Sequence, residues 1–368
     1  MTPPGSDSNG TRASHRIATS GEPKSTADFG DFVARVRPTI EHRLGEWLDG
    51  RLGDARSRGA DVEAVAISVQ QLALRGGKRL RAALLGAAYE ACGGEGGVER
   101  VVDAGVAMEL LQTYLLVHDD WMDGDDVRRG GPSVPAMMRA RFDETRADAM
   151  AILAGDLAAA WSRRAILEVP VSRDRLVLAA AELARVEEEV VEGQVLDVGG
   201  HARDAKDLET MHRLKASSYT VRGPVVVGAR LAGATDAQVS GLTEFAEPLG
   251  VAFQLRDDLL GVFGSAEAMG KPAGSDLRAG KRTAVVIEAM SEGLTQELGR
   301  VLGRRDAPAR DVQVATALLE SSGVRARIEN RIAVLVGEAH AALEQTQLTA
   351  AGRALLASAA HALTNRQA

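Results

Sequence analysis

Apolar side chains recur every three or four residues through most of this chain. Phe32, Val36, Ile40, Leu44 and Leu48 share one face of a first helix. Between Ala104 and Asp123, Val106, Ala107, Met108, Leu110, Leu111, Leu115, Leu116 and Val117 wrap most of the circumference, so this helix is expected to be deeply buried. Gly and Pro interrupt the pattern at Gly93-Gly94-Glu95-Gly96-Gly97, at Gly130-Gly131-Pro132, at Val169-Pro170, at Gly199-Gly200 and from Gly264 to Gly280. Helices are expected to fill the intervals, with no internal repeat of fixed period. The expected class is all-α, a single large helical bundle over residues 28–368 with its motifs meeting at one central cavity. Residues 1–27 are rich in Ser, Thr, Gly and Pro and predict a disordered tail. Asp7, Glu22 and the sparse arginines speak against a transit peptide there.

The polar exceptions to this pattern are more informative. Asp119 and Asp123 lie one turn apart on one face of the buried helix, with Gln112 on nearly the same face. A second pair, Asp257-Asp258, ends another apolar run. Carboxylates grouped beside apolar surface are costly to desolvate unless a cation answers them. The alternative is a helix end whose acids are simply solvated. Gly76-Gly77-Lys78-Arg79-Leu80-Arg81 and Arg128-Arg129 supply cations, and paired glycines let backbone amides approach an anion at a helix start. A solvated basic helix start is the plainer reading of Lys78, Arg79 and Arg81. Acids and bases together suit a diphosphate bridged to carboxylates by magnesium. Trp121 points off the acidic face and is expected in the core, His118 is expected in helix packing at least as readily as on a phosphate, and Cys92 is expected to be a small buried or loop residue.

DDWMDGDDVRRGGPS, from Asp119 to Ser133, resembles the first aspartate-rich motif and trailing arginine pair of the trans-isoprenyl diphosphate synthases, the polyprenyl synthetase family. GGKRLR, GQVLD at Gly193 to Asp197, FQLRDD at Phe253 to Asp258 and GKPAGSDLRAGKRT at Gly270 to Thr283 follow in the family's order. The resemblance implies the isoprenoid-synthase type of helical fold and a homodimer. It implies condensation of isopentenyl diphosphate with an allylic diphosphate, assisted by several magnesium ions, three being the expected number. Asp119, Asp123 and Asp257 are the implied metal ligands, with Asp120 and Asp258 supporting them catalytically. Lys78, Arg81, Gln112 and Arg129 are assigned to isopentenyl diphosphate. Arg128, Lys215 and Lys271 are assigned to the allylic diphosphate, with Gln254 also binding substrate. Lys281 is a weaker candidate, and Gln194 and Asp197, a turn apart, are assigned to organising waters beyond the metals, with a helix-surface role as the alternative. Tyr114, followed by the smaller Leu115, resembles the geranylgeranyl-forming members, and places the floor of the product channel about a turn below the acids.

Two departures stand out. Gly261 occupies the place where many members carry a third acid in the second motif, and Ala216 follows Lys215 where Thr is frequent. Ser217 and Ser218 are the candidates to replace that hydroxyl.

Composition narrows the alternatives. A net charge of -7 argues against a nucleic-acid binder, and the single cysteine against a disulfide-stapled secreted domain. With aromatic residues at only 3%, tight packing of small and aliphatic side chains is favoured over a β-rich core. No stretch has the length of a membrane span, so a cytoplasmic protein without a stable membrane anchor is expected. Farnesyl diphosphate is the alternative product. A class I terpene cyclase fits less well, because Asp257 to Ser265 lacks the usual second metal motif, and an inactive regulatory subunit would be expected to have lost acids or arginines.

Overall fold

The computed structural model describes Met1 and residues 28–264 and 274–365. Apart from Met1, the expected tail lies outside the described residues. Asp28 caps α1 (Phe29–Arg58), accepting from the Asp31 N–H at 2.9 Å, and all five apolar positions of its predicted face are buried. Next come α2 (Ala60–Leu74), α3 (Leu80–Ala91) and, after the glycine run, α4 (Val102–Asp123). The glycine-rich loop after Asp123 closes as a two-residue hairpin, Val127–Arg128 against Gly131–Pro132.

Beyond α5 (Val134–Arg139), α6 (Glu144–Leu167) runs along α4. Ala147, Ala151, Ala154 and Ala158 are buried on α6, and side chains this small let two helix axes come close. Ser162 fastens the pair by donating to the Ala107 carbonyl at 2.8 Å. The break at Val169-Pro170 separates α6 from α7 (Arg173–Val198), and Gly199-Gly200 ends α7 as expected.

α8 (Ala205–His212) continues without interruption through a π-helical stretch, Arg213–Arg222, into α9 (Gly223–Ala232). Then α10 (Asp236–Phe263) begins with a complete capping box between Thr235 and Gln238. The C-terminal part contains α11 (Ser275–Ala279), α12 (Ala284–Ser291), α13 (Thr295–Leu298), α14 (Ala309–Ser321), α15 (Val324–Gln345) and α16 (Ala350–Thr364). The fold is all-α, and among the described residues no helix is long and apolar enough to cross a membrane.

Trp121 corrects an expectation. It is 39% exposed and donates its indole N–H to Asp148 at 3.2 Å. Trp121 and Met122 lie on the side of the last turn of α4 that faces solvent, whereas Asp120 in the same turn is buried. His118 does take the packing role: its Nε2 lies 3.0 Å from the Ile152 carbonyl of α6.

Cys92 is half-buried at the end of α3, and burial pushes its thiol up to about 11 from 9.0. The thiolate fraction near pH 8 is then about a hundredfold below that of an unfolded-chain cysteine. Iodoacetamide should accordingly label the native protein about a hundred times more slowly than the urea-unfolded chain, as intact-mass spectrometry would follow.

Candidate active site

The end of α4, the π-helical stretch, the end of α7, α10 and the turn before α12 surround a cavity of about 460 Å³. Asp119 and Asp123 reach it from α4, Asp258 and Gln254 from α10, and Lys215 from the π-helical stretch. Gln194 and Asp197 join from α7, and Lys281 from the turn. Residues far apart in sequence thus meet in one place.

Close backbone contact brings Lys215 there. A Cβ on Gly193 would come within 2.3 Å of the Lys215 backbone nitrogen, so only glycine lets α7 lie against the π-helical stretch. Pro224, just beyond that stretch, has no N–H to return to the preceding turn, which loosens the helix locally. Lys215 Nζ contacts the Asp197 carboxylate and lies 3.7 Å from Asp119 Oδ1. Burial opposes its charge, but Asp197 and Asp119 outweigh burial and hold the pKa above the ordinary lysine value. Gln194 also donates to Asp119, at 3.4 Å.

Asp119 and Asp120 have different surroundings. Asp120 is fully buried and accepts from Arg128 Nε at 2.6 Å, while its second oxygen has no partner. Burial raises its carboxyl to about 6 against the pull of Arg128. Its position makes it the anchor of Arg128, which also reaches Asp125 at 3.2 Å. Asp123 faces the cavity, where lost bulk water and then the Asp119 charge raise its pKa, opposed by Lys281 and Lys215.

A second, basic group lies beside the acidic one. Arg129 and Gly130 occupy the hairpin tip with φ of 52° and 71°, the signs of a type I′ turn. Arginine is disfavoured there, and a bulky residue held in the left-handed region is a mark of function. The Arg129 guanidinium lies 3.6 Å from where a Cβ on Gly77 would stand, which joins the two basic motifs in space. Burial lowers its pKa and Glu109 raises it, while Arg79, Arg81 and Arg128 lower it further. Such a cluster favours an anion. Arg81 donates to Thr220 at 2.9 Å and stacks 4.4 Å over the Tyr219 ring, which itself lines the main cavity. Lys78 is exposed on the loop between α2 and α3, and Gln112 is half-buried on α4.

Sequence reading missed Arg75 and Glu109, and its solvated reading of Arg79 is corrected. Arg75 Nη1 donates to the carbonyls of Arg128 (3.1 Å) and Pro132 (2.7 Å), clamping the hairpin. Arg79, within the basic motif, turns inward and pairs with Glu109 at 2.6 Å. The sequence signal was Glu109, an acid set among Met108, Leu110 and Leu111 in the apolar part of α4. Ser217 and Ser218 do not replace the hydroxyl missing at Ala216, since both are buried and donate to the carbonyls of Glu247 and Leu214.

On α10, Asp258 accepts from Gln254 and from the Ala284 N–H, both at 2.8 Å, and lies 3.5 Å from His212. It therefore ties α10 to the start of α12. Asp257 is half-buried one position earlier, and Lys271 lies outside the described residues. Tyr114 is buried one turn before the acids, edge-on to His118 with ring centroids 5.0 Å apart, and Leu115 is half-buried beside it.

Among the described residues no three acids, histidines or cysteines come together closely enough to enclose an ion unaided. Magnesium keeps waters and takes one or two carboxylates together with substrate phosphates. Single acids spaced around a cavity suit that habit, and Asp119, Asp123, Asp197 and Asp258 line this one. The donor set fits magnesium.

A profile described as polyprenyl synthetase matches residues 62–319. A geranylgeranyl diphosphate synthase of Methanosarcina mazei is 34% identical over 259 residues, 69% of this chain and 75% of that protein. A farnesyl diphosphate synthase of Geobacillus stearothermophilus is 35% identical over 262 residues, 68% of this chain and 82% of that protein. Among solved structures, the geranylgeranyl pyrophosphate synthase of Corynebacterium glutamicum, complexed with isoprenyl diphosphate and magnesium, aligns with a TM-score of 0.83 at 31% identity, covering 92% of this chain and 100% of that one.

Proposed function

The chain belongs to the polyprenyl synthetase family and is a trans-prenyltransferase, and on that premise we propose that it makes geranylgeranyl diphosphate (C20) from isopentenyl diphosphate and allylic primers. One observation carries the reading: an acid-lined cavity stands beside a separate arginine cluster, giving one place for each diphosphate.

In this reading the allylic diphosphate lies in the main cavity. Asp119 and Asp123 on one side and Asp257 on the other would hold magnesium, which would supply positive charge for the departing diphosphate. Lys215 and Arg128 add fixed cations there, positioned by Asp197 and Asp120. The carbon–oxygen bond breaks and its electron pair leaves with the diphosphate. Isopentenyl diphosphate, held by Lys78, Arg81 and Arg129 with Gln112 nearby, presents its double bond to the allylic cation. Transfer of a proton from the new cation to the released diphosphate then restores a double bond. Asp258 and Gln254 keep α10 in place, and Lys271 is proposed to bind the allylic diphosphate. The same proposal includes three magnesium ions, a homodimer and a reducing cytoplasmic setting. Exposed Val191 and Val195 on α7 offer apolar surface to a partner copy, and a lone unpaired thiol suits that compartment.

Tyr114 supports C20. An aromatic ring buried on α4 one turn below Asp119 can block a chain growing away from the acids. The farnesyl-forming relative keeps C15 as the second reading. Incubation with isopentenyl diphosphate and dimethylallyl, geranyl or farnesyl diphosphate, followed by chromatographic sizing, should give mainly C20. A product that stops at C15 favours the second reading, and no condensation with any primer overturns both. Tyr114→Ala should shift the main product beyond C20 with activity retained, whereas an active variant with unchanged product length places the floor elsewhere, at Leu111 or Met108.

A further inference from the structure

Residue 261 follows Asp257 by one turn of α10, so a side chain there would leave the helix on the same face. Many members of the family carry the third acid of the second motif at this place, and here it is a buried glycine. Another residue takes up the room. A Cβ on Gly261 would stand 1.8 Å from Asp276 Oδ2 and 2.7 Å from its Cγ. The carboxylate of Asp276, arriving from α11, thus occupies the position where the missing side chain would begin.

Asp276 also looks toward the first motif. With Asp123 and Lys281 it lines a second cavity of about 370 Å³, which adjoins the main one through Asp123, Ala279 and Lys281. Its backbone is held in register with that lysine, because the Asp276 carbonyl accepts from the Lys281 N–H at 3.0 Å. One turn therefore presents both an acid toward the face of Asp257 and a cation toward Asp123.

We propose that Asp276 supplies the carboxylate that the second acidic motif lacks at position 261, and so acts as a positioning residue for magnesium on the α10 side of the cavity. This rests on the magnesium-dependent reading above. Glycine at 261 is then a requirement of the arrangement, since any Cβ there would push the carboxylate away.

Full-length protein freed of metal with EDTA would be melted in the presence of farnesyl thiolodiphosphate, an allylic diphosphate analogue that resists ionisation, while magnesium chloride is titrated. Asp276→Asn, which keeps the shape and removes the charge, is expected to raise the magnesium concentration at half-maximal stabilisation about tenfold or more. Its melting temperature without magnesium should match wild type. Gly261→Ala removes no charge, yet it should raise the midpoint in the same direction by displacing Asp276. Moving the acid, in Gly261→Asp combined with Asp276→Ala, should bring the midpoint back to within about threefold of wild type. If Asp276→Asn has the wild-type midpoint, the proposal is overturned. Should that variant also melt earlier without magnesium, the combined variant decides, a restored midpoint supporting the proposal and an unrestored one overturning it. A wild-type protein that magnesium does not stabilise at all would defeat the magnesium reading instead.

Discussion

Asp119→Ala is expected to lower kcat about a thousandfold or more while leaving the melting temperature almost unchanged, a loss of roughly 4 kcal/mol in transition-state stabilisation. The two halves have separate causes. Asp119 faces the cavity with a side chain 30% exposed, so its removal leaves no sealed void. Lys215 keeps Asp197 as a partner and Arg128 keeps Asp120 and Asp125, so neither cation is orphaned. Activity has no such reserve, because charge gathering on the departing diphosphate would lose one of the acids proposed to hold magnesium against it. Steady-state kinetics at saturating magnesium, with EDTA as the control, checks this. Wild-type turnover by the variant, or indifference of the wild-type enzyme to chelation, would show that ionisation is assisted in some other way.

The neighbouring aspartate is a contrast. Asp120 is sealed from solvent and its bond to Arg128 carries its role, so its loss acts by releasing an arginine inside the protein. Two adjacent carboxylates thereby divide the work, one toward the cavity and one toward a cation that serves the cavity.

Periodicity made the first of these legible. Apolar spacing placed Asp119 and Asp123 on one face and predicted the burial of α4, since both depend only on the pitch of a helix. The family and reaction class were legible in the five motifs for a similar reason, each being a short run readable without the fold. Contacts between distant segments were not. GGKRLR gives no sign that Arg79 turns inward while Arg81 faces Tyr219, because that outcome follows from a left-handed residue at the start of α3. Arg75 looks like a loop residue until the hairpin it clamps is in view. The exposure of Trp121 depends on which side of the last turn of α4 faces solvent, and Gly261 gains its meaning only when Asp276 arrives from another helix.

The inward turn of Arg79 leads to the largest expected effect on stability. Its side chain is 1% exposed and that of Glu109 is 2%, with 2.6 Å between Nη1 and Oε2. Arg79 Nη2 donates to the Ala73 carbonyl at 3.0 Å, which fastens the loop carrying Lys78 to the end of α2. Its φ of 53° is unfavourable for a residue with a Cβ, so the pair also holds a strained turn in place. Arg79→Met would strand the Glu109 carboxylate in the core, and a buried charge without its partner costs about 3–5 kcal/mol. Urea unfolding should report a loss of that size. Combining Arg79→Met with Glu109→Leu removes both charges and should regain most of the stability, since an apolar pair of similar volume is often as stable as the ion pair. Recovery of function should lag behind. With the tie to Ala73 gone, the basic loop is held less firmly, and the KM for isopentenyl diphosphate should remain raised severalfold while kcat returns toward wild type. A loss below about 1 kcal/mol for Arg79→Met would mean that water reaches the pair. A double variant restored in both stability and KM would assign Arg79 to packing alone, leaving Arg81, Arg129 and Lys78 to hold the substrate without its help.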